Sequence, residues 1–164
     1  FKAILPTLLA KQAMNEKKSE VVTFRGIRGM REILYELLYA GGKEHHTIGS
    51  SVKSLMMGEA WWEQYHQKRV QKGIHAKLLF YESLKAFTAE KRYAQKTEVR
   101  YTKTGFEPLT ETIIRNDKVG IILWVDKPIG ILIHNKQLAD SYEQYFQLLW
   151  KTGKNTSSPA PAKH

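Results

Sequence analysis

The sequence contains no cysteine, which excludes disulfide scaffolds, thiolate metal sites and cysteine nucleophiles. No apolar run approaches the roughly 18 residues that a membrane-spanning helix requires. The opening residues 1–10 are apolar, but they include Lys2 and Pro6 and lack a cleavage-type ending, so they read as a helix and not as a secretory leader. Acidic residues are the scarce charge: 16 Asp and Glu stand against 26 Lys and Arg, a net charge of +10. The excess is uneven, because residues 51–100 carry ten basic residues against five glutamates, whereas residues 101–150 carry five against six acids. A basic balance favours polyanionic partners through counterion release. No segment concentrates Lys and Arg as a nucleic-acid arm would, however, and a solvated cationic surface accounts for the excess equally well.

The rest is the composition of an ordinary soluble domain: 164 residues, 42% hydrophobic and 26% charged, enough to bury a core without metal or disulfide. The absence of cysteine suits the cytoplasm, the expected setting. The sequence starts at Phe1 and not at methionine, so a preceding segment is expected.

Periodicity gives the elements. Ile4, Leu8, Leu9 and Ala13 have helical spacing within residues 2–17. Glu20 to Phe24 is a short β-branched strand closed by Arg25-Gly26, and Ile27, Met30, Ile33, Leu34, Leu37 and Leu38 form one face of an amphipathic helix that Gly41-Gly42 stops. Glu44–Ile48 suits a strand, and Gly49-Ser50-Ser51 a turn opening a helix over Ser51–Met57. Helices are predicted over Ala60–Lys72 and Leu84–Ala94, and strands over Ile74–Tyr81 and Glu98–Thr102. Beyond residue 105 the pattern changes. Strands over Glu111–Arg115, Lys118–Val125 and Ile129–His134 are separated by Asn116-Asp117 and Asp126-Lys127-Pro128, turn sequences that make them antiparallel. A final helix is predicted from Asn135, its N-cap, to Lys151. Residues 152–164, with Ser157, Pro159 and Pro161 and no large apolar side chain, read as a disordered tail. Units of β-α type followed by an antiparallel meander and a C-terminal helix predict an α/β fold, a mixed sheet sandwiched by helices.

Four phrases, in order, resemble the C-terminal domain of TrmB-like transcription regulators. They are Leu5-Pro6 with Val21 to Gly29; Trp62, His66 and Arg69 leading into Gly73-Ile74; Arg100-Tyr101 with Thr112 to Val119; and Gly130 to Asn135 with Phe146 to Trp150. The resemblance covers residues 5–151. It implies a phospholipase-D-like fold and makes residues 1–18 the end of a linker helix and 19–151 the effector and dimerisation domain. It also implies a homodimer, with DNA bound through a winged-helix domain that is not part of this sequence.

The same resemblance implies where an active site would stand: a His-x-Lys pair followed by Asp, two copies meeting across a pseudo-dimer, one histidine attacking phosphorus and the other protonating the leaving group. On the expected strand, Thr110 and Thr112 hold the His and Lys places, and threonine is neither base nor phosphate ligand at neutral pH. His134-Asn135-Lys136 has the His-x-Lys spacing, but Asp140 comes one residue early, and Asn135 is better read as a helix cap. The implied protein is therefore not an enzyme. His45 and His46 point to opposite faces of a strand and cannot easily share a metal, so neither metal nor cofactor is expected.

A small molecule is expected at the C-terminal ends of the first strands, where open α/β sheets bind ligands. Arg25, Gly26, Ser50, Ser51, Glu111 and Trp124 would line the site, with Arg25 neutralising an anionic group. Trp61-Trp62 suit either stacking on a ligand or packing in the core. Tyr142, Tyr145, Phe146 and Trp150 offer more aromatic surface than one helix face needs and are the expected dimer contact. A phosphodiesterase of the phospholipase-D-like class and a module that binds nucleic acid directly are the alternatives.

Overall fold

The computed structural model describes residues 5–10, 19–88, 95–106 and 108–155. One sheet organises them, with strands β1 (Glu20–Arg25), β2 (Glu44–Ile48), β3 (His75–Tyr81), β4 (Thr97–Thr102), β5 (Thr110–Arg115), β6 (Lys118–Leu123), β7 (Ile129–His134) and β8 (Lys154–Asn155). Their order across the sheet is β1-β7-β6-β5-β2-β3-β4-β8. Strands β2, β3 and β4 are parallel neighbours, and the remaining pairs are antiparallel. The helices are α1 (Gly26–Leu38), α2 (Glu59–Gln71), the short α3 (Lys85–Thr88) and α4 (Lys136–Trp150), with 3-10 turns at Val52–Met57 and Glu82–Leu84. This is the expected mixed-sheet α/β sandwich. Residues 5–10 are helical.

Alternation along β5 shows how the two faces are covered. Ile113 packs with Met30, Ile33, Leu34 and Leu37 of α1 and with Tyr65 of α2, whereas Ile114 packs with Phe146 and Trp150 of α4. Adjacent residues on a strand point to opposite faces, so α1 and α2 cover one side and α4 the other. Each large apolar side chain buried this way contributes roughly 1.5–3 kcal/mol. A glycine sets the fit of α1: a Cβ on Gly120 of β6 would lie 2.6 Å from Leu37 Cδ1.

The end of α1 is held by a buried cation. Arg115 donates from Nε to Leu37 O at 3.0 Å and from Nη1 to Glu44 O at 2.6 Å, and Nη2 reaches Leu38 O at 3.4 Å. The last carbonyls of a helix lack intrahelical donors and carry partial negative charge, so a guanidinium there satisfies both needs. Arg69 does similar work elsewhere, donating to Ile74 O at 2.6 Å and Lys96 O at 3.2 Å.

Four expectations are corrected. The turn after Ser51 is 3-10, not α-helical, although Ser51 caps it by accepting from Lys53 N at 3.2 Å. Strand β6 stops at Leu123, and Trp124 N bonds to Leu109 O instead. The helix predicted over 84–94 has Leu84 in the 3-10 turn and is α-helical over the described Lys85–Thr88, and residues 89–94 of the prediction lie outside the described residues. The tail from residue 152 does not begin as disordered chain, because Lys154 and Asn155 pair with Tyr101 and Arg100 as β8.

Candidate functional site

Between α2 and the sheet lies a cavity of about 670 Å³, within the usual range for a small-molecule site. Its floor comes from alternate residues of neighbouring strands: His45 and Thr47 on β2, Leu78 and Phe80 on β3, and Glu111 and Ile113 on β5. Trp62, Tyr65 and His66 of α2 form the roof, and the 3-10 turn adds Ser54. Gly49 turns the chain from β2 into this turn at φ +73°, and a Cβ there would stand 2.9 Å from Thr110 O. Only glycine combines that backbone with that approach, and the next residue, Ser50, is thereby delivered to the cavity.

Glu111 is the chemical centre. Its Oε2 accepts from Ser50 Oγ at 2.9 Å and from Trp124 Nε1 at 2.8 Å, which leaves Oε1 uncommitted among the described residues. Burial pushes its carboxyl up from 4.5 to about 7, partly opposed by the Trp124 and Ser50 hydrogen bonds. The two cavity histidines move the other way. Burial, with the Arg69 charge beside it, drives His66 down to about 3. Burial and then the His66, Arg69, Arg115 and His46 charges hold His45 well below its usual range. Both are neutral at pH 7. His45 Nε2 meets Thr47 Oγ1 at 3.1 Å, while His45 Nδ1 and the Tyr65 hydroxyl are buried without a hydrogen-bond partner among the described residues. Each such orphan costs about 1–3 kcal/mol. Trp62 is fixed by donating from Nε1 to Ser54 O at 2.9 Å and sits edge-on to Tyr65 with ring centres 5.8 Å apart.

Of the six ligand residues read from sequence, the cavity brings together Ser50 and Glu111, with Trp124 behind them as a donor to Glu111. Ser51 is buried as a turn cap and is not on the wall. Arg25 and Gly26 do not reach the cavity. Strand β1 runs in the same direction as β2, but β7, β6 and β5 lie between them, so the arginine expected to neutralise an anion is exposed on the far edge. His45, Tyr65 and His66 are wall residues that the sequence reading does not place at the ligand site, and Trp62 is on the wall where stacking on a ligand was one of its two readings. The alternation of His45 with Thr47 and the i, i+4 spacing of Trp62 and His66 were the available signals.

Thr110 and Thr112 lie on the other face of β5. Thr112 pairs with Ile48, which packs on the α4 side, so Glu111 faces the cavity instead. His46 points to that same side, stacked on Phe146 with ring centres 4.2 Å apart and 2.8 Å from Glu143 Oε2. His134 Nε2 bonds to Asp117 Oδ2 at 2.7 Å beside a shallow hollow of about 230 Å³, where Lys118 is paired with Glu36 at 3.3 Å. Lys136 is exposed and paired with Asp140, and Asn135 caps α4 by accepting from Leu138 N at 2.8 Å. Among the described residues no group of three or more His, Asp or Glu side chains is arranged to hold a metal, and no helix is long and apolar enough to cross a membrane.

The expected dimer contact is half corrected. Phe146 and Trp150 are 0% and 6% exposed within this one chain and belong to its core, whereas Tyr145 is 61% exposed and Tyr142 half-buried beside that core. The exposed apolar residues on α4 are Tyr145, Leu148 and Leu149.

No protein-family model and no curated protein matches the sequence. Solved structures do match. The archaeal chromatin protein TrmBL2, whose structure shows a novel mode of DNA binding, superposes with a TM-score of 0.62 at 18% identity over 94% of this chain. This chain spans 66% of the TrmBL2 chain. Nuc of Salmonella typhimurium, a phospholipase D family member, gives 0.61 at 12% identity, covering 85% of this chain and 99% of Nuc. NucT of Helicobacter pylori gives 0.59 at 12% identity, covering 84% and 99%. Strand order, sheet coverage and these superpositions agree that the chain has the phospholipase-D-like fold.

Proposed function

We propose that this domain is the effector-sensing and dimerising half of a cytoplasmic TrmB-like transcription regulator, able to hold a small molecule but not to cleave it. The observation that carries the reading is the cavity under α2, in which a buried, neutrally hydrogen-bonded carboxyl faces a space of ligand size. Two further observations support it. The four phrases resembling TrmB-like regulators lie on a fold shared with TrmBL2. In addition, β5 presents Glu111, Ile113 and Arg115 to the cavity side, with neither imidazole nor ammonium among them.

DNA would be contacted by a winged-helix segment outside this sequence, and ligand binding would change that affinity by a coupling of roughly 1–3 kcal/mol. Calorimetry against sugars, nucleotides, phosphorylated metabolites and amines should find a binder whose heat disappears in Trp62→Ala. Silence from every class would remove the sensing role. Dimerisation is carried by the apolar side of α4: light scattering should give a dimer that Leu148→Glu with Tyr145→Arg converts to monomer, and a wild-type monomer at micromolar concentration would refute it.

Likeness to Nuc and NucT favours a second reading, a phosphodiesterase. It predicts hydrolysis of bis(p-nitrophenyl) phosphate that His134→Ala abolishes. The sensor reading predicts no turnover.

A further inference from the structure

The charged side chains that the described residues bring to the cavity are acidic, although the protein is basic. The chain carries 26 Lys and Arg against 16 Asp and Glu, yet among the described residues the cavity wall carries the carboxyls of Glu63 and Glu111 and no Lys or Arg. By chance, a wall of that size in so basic a chain would carry more cations than anions. The two histidines on the wall are neutral and add no positive charge. Behind the wall, Arg69 donates to His66 Nδ1 at 3.2 Å and to Ile74 O at 2.6 Å, and Arg115 donates to Glu44 O at 2.6 Å, so neither guanidinium is paired with Glu111.

Among the described residues Glu111 has no cation of its own. Both of its partners, the Ser50 hydroxyl and the Trp124 indole, are neutral donors, and both reach the same oxygen. A buried carboxylate without a counter-charge is costly, and such groups cluster where a ligand supplies what the protein withholds. The rest of the wall suits a cation as well. Trp62, Tyr65, Phe80 and Phe87 offer aromatic rings, and a ring face attracts an ammonium group when both are shielded from water. Glu63 stands exposed at the rim, where a carboxylate raises the local concentration of cations.

We propose that the cavity takes a small organic cation, an amine or quaternary ammonium compound, with Glu111 Oε1 as its counter-charge, Trp62 as its aromatic face and Glu63 as its rim. The ligand class follows from the buried Glu111 carboxyl, whose two donors are neutral, and from the Trp62 ring beside it, in place of the phosphorylated and carboxylated effectors that Arg25 would have served. The proposal rests on reading the domain as a sensor, and its test separates the two.

The full chain is titrated at pH 8 and low salt with putrescine, choline and tetramethylammonium, with glucose as the neutral probe, and with glucose 6-phosphate and AMP as anionic ones. Heat and thermal shift are both recorded. At least one cation should bind and raise the unfolding temperature. Glu111→Gln should weaken it about tenfold or more, Trp62→Leu by about fivefold, and Glu63→Gln by about twofold, the loss of a buried counter-charge outweighing a ring face or a solvated rim charge. Circular dichroism establishes that each variant is folded, and Trp62→Phe, which keeps a ring, should bind better than Trp62→Leu.

Binding of glucose or of either phosphate compound while the cations are silent overturns the cation assignment and leaves the sensor standing. A cation whose affinity is unchanged in both Glu111→Gln and Trp62→Leu is held elsewhere, which also overturns the assignment. Silence from all six probes overturns the assignment and the sensor together.

Discussion

Replacing Glu111 by glutamine should make the protein more stable, and by an amount that grows with pH. Glutamine keeps the shape and still accepts from Ser50 Oγ and Trp124 Nε1 through its carbonyl oxygen, so the variant differs chiefly in charge. Burial raises the folded-state carboxyl from 4.5 to about 7, which means that the folded protein binds this proton more tightly than the unfolded chain does. The stability that Glu111 contributes is therefore fully present below pH 4.5 and is lost as pH rises through about 7. At about 1.4 kcal/mol for each pH unit, the loss relative to the protonated state is under about 1 kcal/mol at pH 4.5, about 2 at pH 6 and about 3 at pH 8. Urea unfolding of both proteins, followed by far-ultraviolet circular dichroism at these three pH values, measures it. His45 and His66, whose depressed values make both proteins lose stability as pH falls below about 6.5, cancel in the difference. A gap that is flat with pH, or that favours wild type at pH 8, would show that the carboxylate is well solvated or paired and would refute the account of the cavity.

Other expectations follow from single contacts. Arg115→Met should cost about 3–5 kcal/mol in urea unfolding, since it strips charged donors from the carbonyls of Leu37 and Glu44; a loss under 1 kcal/mol would mean that water replaces them. Gly49→Ala should cost at least about 1–2 kcal/mol from its left-handed backbone alone, more with the approach to Thr110 O, and an unchanged melting temperature would contradict this. Asn135→Ala should cost about 1 kcal/mol by removing the cap of α4, with Asn135→Asp close to neutral in the same melt.

Most of the fold was legible because its elements announce themselves locally. Met30 to Leu38 can be only a helix face, and the Asn116-Asp117 turn forces β5 and β6 antiparallel. What was not legible is lateral. The sequence Val22-Thr23-Phe24-Arg25-Gly26 looks like the start of a β-α unit beside β2, and nothing local reveals that β5, β6 and β7 are inserted between the two. Arg25 was therefore placed at a site that it does not reach. The same limit hid Tyr65 and His66, whose helix covers the cavity only through long-range packing. Phe146 and Trp150 show the converse, since an aromatic stripe does not say whether its other half is a partner or the same chain. The turn at Ser50 and the carboxyl of Glu111 were found because strand ends are where such sheets leave room.

Strand β1 is joined to β7 through six registered residue pairs, Glu20 to Arg25 against His134 to Ile129, whereas among the described residues the opposite margin of the sheet is held by two. Strand β1 is thus fastened to the meander and not to the parallel half. A displacement of β5 on which Glu111 rides has only β6 and β7 to cross before it tugs on that strand, while motion of β3 or β4 runs out at a two-residue hem. Any signal sent toward the N-terminal side has its shortest mechanical route through the hairpins.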